Sequence, residues 1–157
     1  MGIVKSLDHV AVTVSDLEQS LIFYKEVLGL KEVERHLLDG KTISTMAGKP
    51  GVVMQVVRLT SPDTPDILID SQQYIEPKGI VSNAVLGMAN HSHFCFGVDD
   101  LKETYEELLK KGVEFISQPV SFDLGKEWDY GVVKVVFLKD PDGFILELME
   151  LDLKNPE

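Results

Sequence analysis

The chain has 157 residues, 44% of them hydrophobic, and a formal net charge of −11. This length and composition suit one compact unit with a substantial core, which needs no stapling to fold. The acidity argues against nucleic acid or an anionic membrane surface as a partner, because both require clustered Lys and Arg. No apolar run approaches the ~20 residues of a membrane span, and we expect no signal peptide before the first predicted strand.

The only cysteine, Cys95, lies between two phenylalanines in a predicted strand. A lone cysteine forms no internal disulfide, which fits a reducing compartment, so we expect a cytoplasmic protein. The apolar neighbours predict a core-filling side chain rather than a nucleophile, because nothing beside the thiol helps it to ionise.

The first predicted elements are a strand and a helix. The strand alternates between a valine face and a face that carries His9, and we expect Ile3 and Val4 to belong to it already. A capping-box pattern around Asp16 starts the helix, and Gly29 ends it. Three strand-like segments follow at residues 30–37, 51–59 and 66–74, so the first module is predicted to be βαβββ.

The second half repeats this order after a connection at residues 75–90. Its helix is predicted to begin at Asp99 or Asp100 and to end at Gly112, after a strand at 91–98. Further strands are predicted near residues 113–117, 131–138 and 143–151. The irregular segment between Val120 and Gly131 carries Trp128 and Tyr130, which we expect to border a cavity as part of a lid and to contact substrate.

A sequence echo relates the two halves. Residues 9–17 align without a gap on residues 93–101, and the apolar segment that ends in Asp70 matches the one that ends in Glu147. Each half therefore offers one histidine and one carboxylate in matching places. A repeat of this kind predicts that His9 and His93 are related by a pseudo-two-fold axis.

Two imidazoles and two carboxylates from four strands predict a site for a divalent metal such as Zn, Ni, Co, Mn or Fe. Each residue alone would be interpreted as a structural histidine or a solvent-facing carboxylate, and the repeat favours the metal site. Gln72 lies on the same strand face as Asp70 and is its rival as a ligand. His91 shares the face of His93, so substrate contact is an alternative to a surface role. No glycine-rich phosphate loop or nucleophile elbow occurs, which disfavours hydride and acyl transfer.

These residues resemble the vicinal oxygen chelate superfamily, which includes glyoxalase I, methylmalonyl-CoA epimerase, extradiol dioxygenases and bleomycin resistance proteins. The resemblance covers nearly the whole chain and rests mainly on three segments, Leu-Asp-His-Val-Ala-Val at 7–12, His-Phe-Cys-Phe at 93–96 and Asp-Pro-Asp-Gly-Phe-Ile-Leu-Glu-Leu at 140–148.

The resemblance implies an α+β fold in a single domain over residues 1–157. Two βαβββ modules, 1–76 and 90–153, would form a curled eight-stranded mixed sheet around a metal cavity. His9, His93 and Glu147 match the usual ligands, and Asp70 stands where the fourth ligand is expected. A homodimer is also implied, with the ligands drawn from one chain or from two.

The resemblance favours a glyoxalase I-like lyase or isomerase that acts on a small oxygen-chelating substrate through metal-stabilised enediolate chemistry. Glu147 would be the catalytic base. Two alternatives stay open: an Fe(II)-dependent extradiol-type dioxygenase, for which two histidines and one carboxylate suffice, and a non-catalytic drug-sequestering resistance protein. The substrate and the metal are left open as well.

Overall fold

The computed structural model describes residues 2–82, 85–89, 91–124 and 131–151. It divides into two units, Met1–Ser82 and Asn83–Glu157. Each unit builds a four-stranded mixed sheet with a helix after its first strand, which confirms the predicted α+β class and the βαβββ order. Trp128 and Tyr130 lie outside the described residues.

The first unit contains the strands β1, His9–Thr13; β2, Lys31–Leu38; β3, Val53–Thr60; and β4, Leu68–Glu76. Their order in the sheet is β1-β4-β3-β2. β1 is parallel to β4, while β3 is antiparallel to both of its neighbours, β2 and β4. The chain thus returns to pair its last strand with its first, which brings residues far apart in sequence side by side.

The second unit has the same topology. It contains β5, Phe94–Gly97; β6, Val120–Asp123; β7, Val132–Lys139; and β8, Ile145–Leu151, in the order β5-β8-β7-β6. β5 is parallel to β8, and the other neighbours are antiparallel. The two sheets therefore match strand for strand, as the sequence echo predicts.

The helices begin and end where the sequence places their caps. α1, Leu17–Leu21, is capped by Asp16 and continues as a wider π-helical segment, Ile22–Val27, in which the Leu28 N–H donates to the carbonyl of Phe23. α3, Leu101–Lys110, is capped by Asp100. Neither helix, nor any other in the described residues, is long and apolar enough to cross a membrane.

The two faces of the first sheet are covered differently. On one face, Leu17 and Tyr24 are buried together with Val57 and Leu59 of β3. The opposite face of β3 carries Met54 and Val56 at one end and Arg58 beyond them. The apolar cover of this second face ends before Arg58. The polar residues of the candidate site lie on this uncovered part.

That cover comes from α2, Gly40–Met46, a helix that the sequence analysis did not predict. Asp39-Gly40 reads as a turn, and the helix carries only one buried side chain, Ile43, which is too little for an amphipathic pattern. Ile43 packs in a cluster with Val52, Met54 and Val56. The tertiary contact, rather than any periodicity, therefore holds the helix in place.

The predicted limits of two strands were wrong, and the first of these is the start of β1. Ile3 and Val4 are exposed and precede β1, because β4 starts at Leu68, which pairs with His9 and leaves earlier residues without a partner strand.

The strand predicted at 113–117 is reduced to a single bridge between Phe115 and Leu138, and pairing resumes only at Val120, opposite Val135. Pro119 has no N–H to donate to the ladder, which explains the interruption.

Candidate functional site

Three adjacent strands bring His9, Asp70 and Arg58 to one face of the first sheet. Asp70 lies level with Ala11 of β1 on one side and with Arg58 of β3 on the other. His9 is one two-residue step before Ala11, so its side chain leaves the same face. The burial of Val12 and the exposure of His9 confirm the predicted division of β1 into a core face and a polar face.

Asp70 is buried, only 6% exposed, and its carboxylate is held by a guanidinium. Arg58 donates from Nε to Oδ1 over 2.7 Å and from Nη2 to Oδ2 over 3.0 Å. The remaining nitrogen, Nη1, donates to Glu34 Oε1 over 3.0 Å. The hydrogen bonds that Arg58 donates to Asp70 raise the pKa of Arg58 above its usual value, so the guanidinium is permanently charged.

His9 presents one ring nitrogen to Asp70. Its Nδ1 lies 2.8 Å from Asp8 Oδ1 and donates there, and this hydrogen bond holds the pKa of Asp8 below its usual value. A neutral imidazole that donates from Nδ1 carries its lone pair on Nε2, which lies 3.5 Å from Asp70 Oδ2. Ligands ~2.1 Å from a tetrahedral metal lie about 3.4 Å apart, so this spacing fits a shared cation.

A cavity of about 290 Å³ opens on this face of the first sheet. Its lining combines charged and polar side chains with apolar ones from β2, β3 and α2: His9, Glu34, His36, Arg58, Asp70 and Gln72, with Leu38, Met46, Met54 and Val56. The mixture suits a small molecule that has both polar and apolar parts.

The second half holds the matching pair. Glu147 lies level with Cys95 of β5 and with Phe137 of β7. His93, one two-residue step before Cys95, places its Nε2 3.0 Å from Glu147 Oε2. The ring of Phe137 meets the His93 ring edge to face, with centroids 5.3 Å apart. The position that carries Arg58 in the first half is therefore occupied by an aromatic ring in the second.

The prediction that Cys95 fills the core was wrong, because the residue is exposed on the polar face of β5. The two-residue alternation puts Cys95 on the side of His93, and its phenylalanine neighbours on the other. Loss of hydration at the sulfur and the adjacent Glu147 carboxylate raise the pKa of the thiol to about 12. The thiol therefore stays protonated at neutral pH and is a poor nucleophile, as expected.

Each half supplies a histidine and a carboxylate that fit a metal by donor type and spacing. Among the described residues, no group of three or more His, Cys, Asp or Glu side chains is gathered so that it could hold a metal ion. A complete ligand set would need both pairs, so the four-residue metal site stays a prediction.

The other predicted site residues have separate places. Gln72 lines the cavity, and its Nε2 donates to Thr13 Oγ1 over 3.0 Å. His91 lies before β5, and its backbone N–H donates to the carbonyl of Met88.

Sequence reasoning missed Arg58 and Glu34 as members of the first-half site. A usable signal was present, because Arg58 is the only charged residue in the otherwise apolar and polar segment Val-Met-Gln-Val-Val-Arg-Leu-Thr of β3. Under the two-residue period it shares a face with Met54 and Val56. A charge in such a strand calls for a partner of opposite sign on a neighbouring strand.

The chain belongs to the Glyoxalase/Bleomycin resistance protein/Dioxygenase superfamily, whose family model matches residues 6–148. This match confirms the resemblance drawn from the sequence motifs. It covers both histidine-carboxylate pairs, His9 with Asp70 and His93 with Glu147.

The relatives of known name include a lyase and an epimerase. The chain is 24% identical to lactoylglutathione lyase of Pseudomonas aeruginosa, over 94% of this chain and 84% of that protein. It is 29% identical to human mitochondrial methylmalonyl-CoA epimerase, over 90% of this chain and 72% of that protein. A glyoxalase family protein from Bacillus cereus, 20% identical, shares the fold with a TM-score of 0.81 over 96% of this chain and 98% of that chain.

Proposed function

We propose that this protein is a metal-dependent lyase or isomerase that moves a proton beside a carbonyl of a small, oxygen-chelating substrate. The observation that carries the proposal is the repeated histidine-carboxylate pair, with Nε2 to carboxylate distances of 3.5 Å at His9 and 3.0 Å at His93. The relatives named as a lyase and an epimerase support this class of chemistry over other activities in the superfamily.

The proposed ligands are His9, His93 and Glu147, with Asp70 as the candidate for a fourth. Their nitrogen and oxygen atoms suit Zn, Ni, Co, Mn or Fe. A divalent metal, when bound, supplies a Lewis acid that stabilises negative charge on two neighbouring substrate oxygens. The chain itself fixes the donors: Asp8 orients the ring of His9, and Phe137 packs against the ring of His93.

Glu147 is the residue we assign as the base. Its side chain is 17% exposed, and no guanidinium or ammonium group is paired with it in the described residues. Asp70 is unsuited to that role, because Arg58 donates to both of its oxygens and so occupies them. A base must accept a proton and release it, so the carboxylate without a fixed cation is the better candidate.

The substrate of this proposal is a small molecule with an apolar portion. Leu38, Met46, Met54 and Val56 give the first-half cavity an apolar wall beside its charged residues. Trp128, Tyr130 and His91 remain predicted substrate contacts. A cytoplasmic homodimer remains our prediction for the setting in which the enzyme acts.

A second candidate, the Fe(II)-dependent extradiol-type dioxygenase, is favoured by one observation, the bidentate pairing of Asp70 with Arg58. If Asp70 is occupied, the remaining candidates are two histidines and one carboxylate, the set that non-haem Fe(II) oxygenases use. The lyase or isomerase ranks first because the named relatives belong to that class.

Metal analysis of protein purified without chelators, followed by two assays, separates these functions. Lyase or isomerase activity is tested by NMR, as exchange of substrate hydrogen with D2O in the methylglyoxal-glutathione adduct and in methylmalonyl-CoA. Dioxygenase activity is tested with an oxygen electrode and catechol. We expect stoichiometric metal, proton exchange and no oxygen uptake. A protein that binds none of the five metals would overturn the proposal, and oxygen uptake would replace it with the second candidate.

A further inference from the structure

We propose that Arg58 is the fixed counter-cation of Asp70 and holds this carboxylate out of the proposed metal-ligand set. The inference rests on the proposed function and sharpens it. It assigns a positioning role to Arg58, and it assigns to Asp70 the role of neutralising Arg58 beside the metal without being a ligand.

The contacts around Asp70 carry the first step. Both carboxylate oxygens accept from the same guanidinium, at 2.7 Å and 3.0 Å, in a fork that matches the two groups in shape and charge. The carboxylate side chain is 9% exposed and that of Arg58 is 24% exposed, so water competes weakly for either. Separating such a pair leaves an uncompensated buried charge, which is costly.

The orientation of the lone pairs carries the second step. A guanidinium that donates to both oxygens of a carboxylate binds their syn lone pairs, the ones on the side where each oxygen faces the other. These are also the lone pairs with which a carboxylate binds a metal most strongly. Asp70 can therefore serve Arg58 or a metal well, but it cannot serve both through the same side of the group.

The second half shows the contrast. Phe137 takes the place of Arg58 beside the carboxylate, and it brings no positive charge and no donor to Glu147. Among the described residues no Lys or Arg is paired with Glu147, and its Oε2 lies only 3.0 Å from His93 Nε2. Since the backbone registers of the two halves match, the difference lies in the side chain opposite the carboxylate rather than in the fold.

Charge explains why Asp70 is still needed. Without Asp70, Arg58 would keep only Glu34 and the more distant Asp8 as anionic partners and would repel a divalent cation near His9. Asp70 reduces that repulsion. Removing Asp70 alone should weaken metal binding, whereas removing Asp70 and Arg58 together should restore it. Removing Arg58 alone should free Asp70 to become an additional ligand.

The test is a double-mutant cycle of wild type, Asp70→Asn, Arg58→Met and the double variant, titrated with Zn²⁺ by calorimetry and with Co²⁺ by absorption spectroscopy. We expect Asp70→Asn to weaken Zn²⁺ binding about 10-fold or more, in the range of substitutions that alter the surroundings of a metal ligand. The double variant should bind within about 3-fold of wild type. It should also give the wild-type Co²⁺ spectrum, whereas Arg58→Met should bind more tightly and change the spectrum.

A matched pair on β2 controls for the loss of an ion pair as such. Arg35 Nε donates to Glu32 Oε1 over 3.0 Å, outside the residues that line the cavity. The double variant Arg35→Met/Glu32→Gln should leave both the Zn²⁺ affinity and the Co²⁺ spectrum unchanged. A change in this control would attribute the effects at Arg58 to general charge removal and overturn the inference.

The outcomes separate the inference from the proposed function. If wild type binds Zn²⁺ and the Arg58→Met/Asp70→Asn variant loses it as completely as His9→Ala, Asp70 is a ligand and only the inference fails. If wild type binds neither Zn²⁺ nor Co²⁺, the proposed function fails and this ligand set with it. Urea unfolding without metal gives an independent check, because the denaturation midpoint should fall in Asp70→Asn and recover in the double variant.

Discussion

Asp70 and Glu147 hold the same position in their sheets, each level with the middle of a parallel neighbour, yet they face different side chains. Asp70 meets the guanidinium of Arg58, and Glu147 meets the ring of Phe137. The backbone hydrogen bonds correspond as well. The Val14 N–H donates to the backbone carbonyl of Gln72 in one half, and the Val98 N–H donates to the backbone carbonyl of Met149 in the other. The halves have therefore diverged in charge while keeping their register.

This difference gives the two carboxylates different properties, although the repeat places them at matching positions. A carboxylate that accepts hydrogen bonds from Arg at both oxygens is fixed in place, whereas one beside Phe is left available to a cation. The first half is thereby suited to shape the cavity and to position His9. The second half is suited to carry the proposed base.

A similar divergence occurs where each helix meets its sheet. The Leu17 N–H, in the first turn of α1, donates to the neutral side chain of Gln73. The Leu101 N–H, in the first turn of α3, donates to the charged carboxylate of Glu150. One backbone arrangement is thus satisfied by an amide in one half and by an ion in the other.

The largest effect should follow from removing the unclamped carboxylate. We expect Glu147→Gln to lower kcat by about a thousand-fold, because general-base catalysis contributes 10²–10⁴. The same substitution at Glu150, on the same strand but on its opposite face, should change kcat by less than about 2-fold. Steady-state kinetics on the two variants checks both expectations, and equal losses would show that Glu147 has no special role.

The next effect concerns the histidines. His9→Ala and His93→Ala should each weaken Zn²⁺ binding about 100-fold or more, since each removes a proposed ligand. His36→Ala, which alters another imidazole in the lining of the first-half cavity, is the matched control and should change the affinity by less than about 3-fold. Calorimetric titration measures all three. Loss of binding in only one of the two ligand variants would mean that the halves do not contribute equivalently.

The buried leucines at the starts of the two helices should contribute equally to stability, although the charges beside them differ. Leu17 is 1% exposed and Leu101 is fully buried, each at the start of its helix. Replacing either by Ala should lower the free energy of unfolding by about 3 kcal/mol through lost burial and a residual cavity. Urea unfolding measures both. A difference of more than about 2 kcal/mol between them would show that the matching topology hides unequal cores.

The sequence was sufficient for the features that repeat. The echo between residues 9–17 and 93–101 predicted the module order, and the Asp and Gly residues at the helix ends predicted their caps and stops. It also predicted which face of β1 carries His9. These features depend on local propensity and on the period of the strand, both of which are written in neighbouring residues.

The features that sequence reasoning missed depend on contacts between distant residues. α2 is held by Ile43 packing on β3, and Arg58 acquires its importance only when β4 brings Asp70 beside it. The wrong placement of Cys95 has a different origin. Its apolar neighbours were taken as its environment, although the two-residue alternation sends them to the opposite face.

The smallest effect should be a dependence on pH at the contact between α3 and its sheet, which the matching contact of α1 lacks. The hydrogen bond from Lys134, together with that from the Leu101 N–H, holds the pKa of Glu150 below its usual value of 4.5. A carboxyl whose pKa is lower in the folded protein stabilises the fold above the pKa of the unfolded chain. That stabilisation is lost as the pH falls through the folded value. Glu150→Gln should therefore lower the free energy of unfolding by about 1 kcal/mol at pH 7 and by much less at pH 3.

In the first half the matching side chain is Gln73, which carries no charge. Gln73→Ala should therefore lower the free energy of unfolding by the same amount at pH 7 and at pH 3. Glu106 is exposed on α3, and the same substitution there, Glu106→Gln, should have little effect on the free energy of unfolding at either pH. Urea midpoints at pH 7 and pH 3 for the three variants and wild type measure these differences. A Glu150→Gln deficit as large at pH 3 as at pH 7 would mean that the anchor acts through its shape and hydrogen bonds, and that the two halves hold their helices in the same way after all.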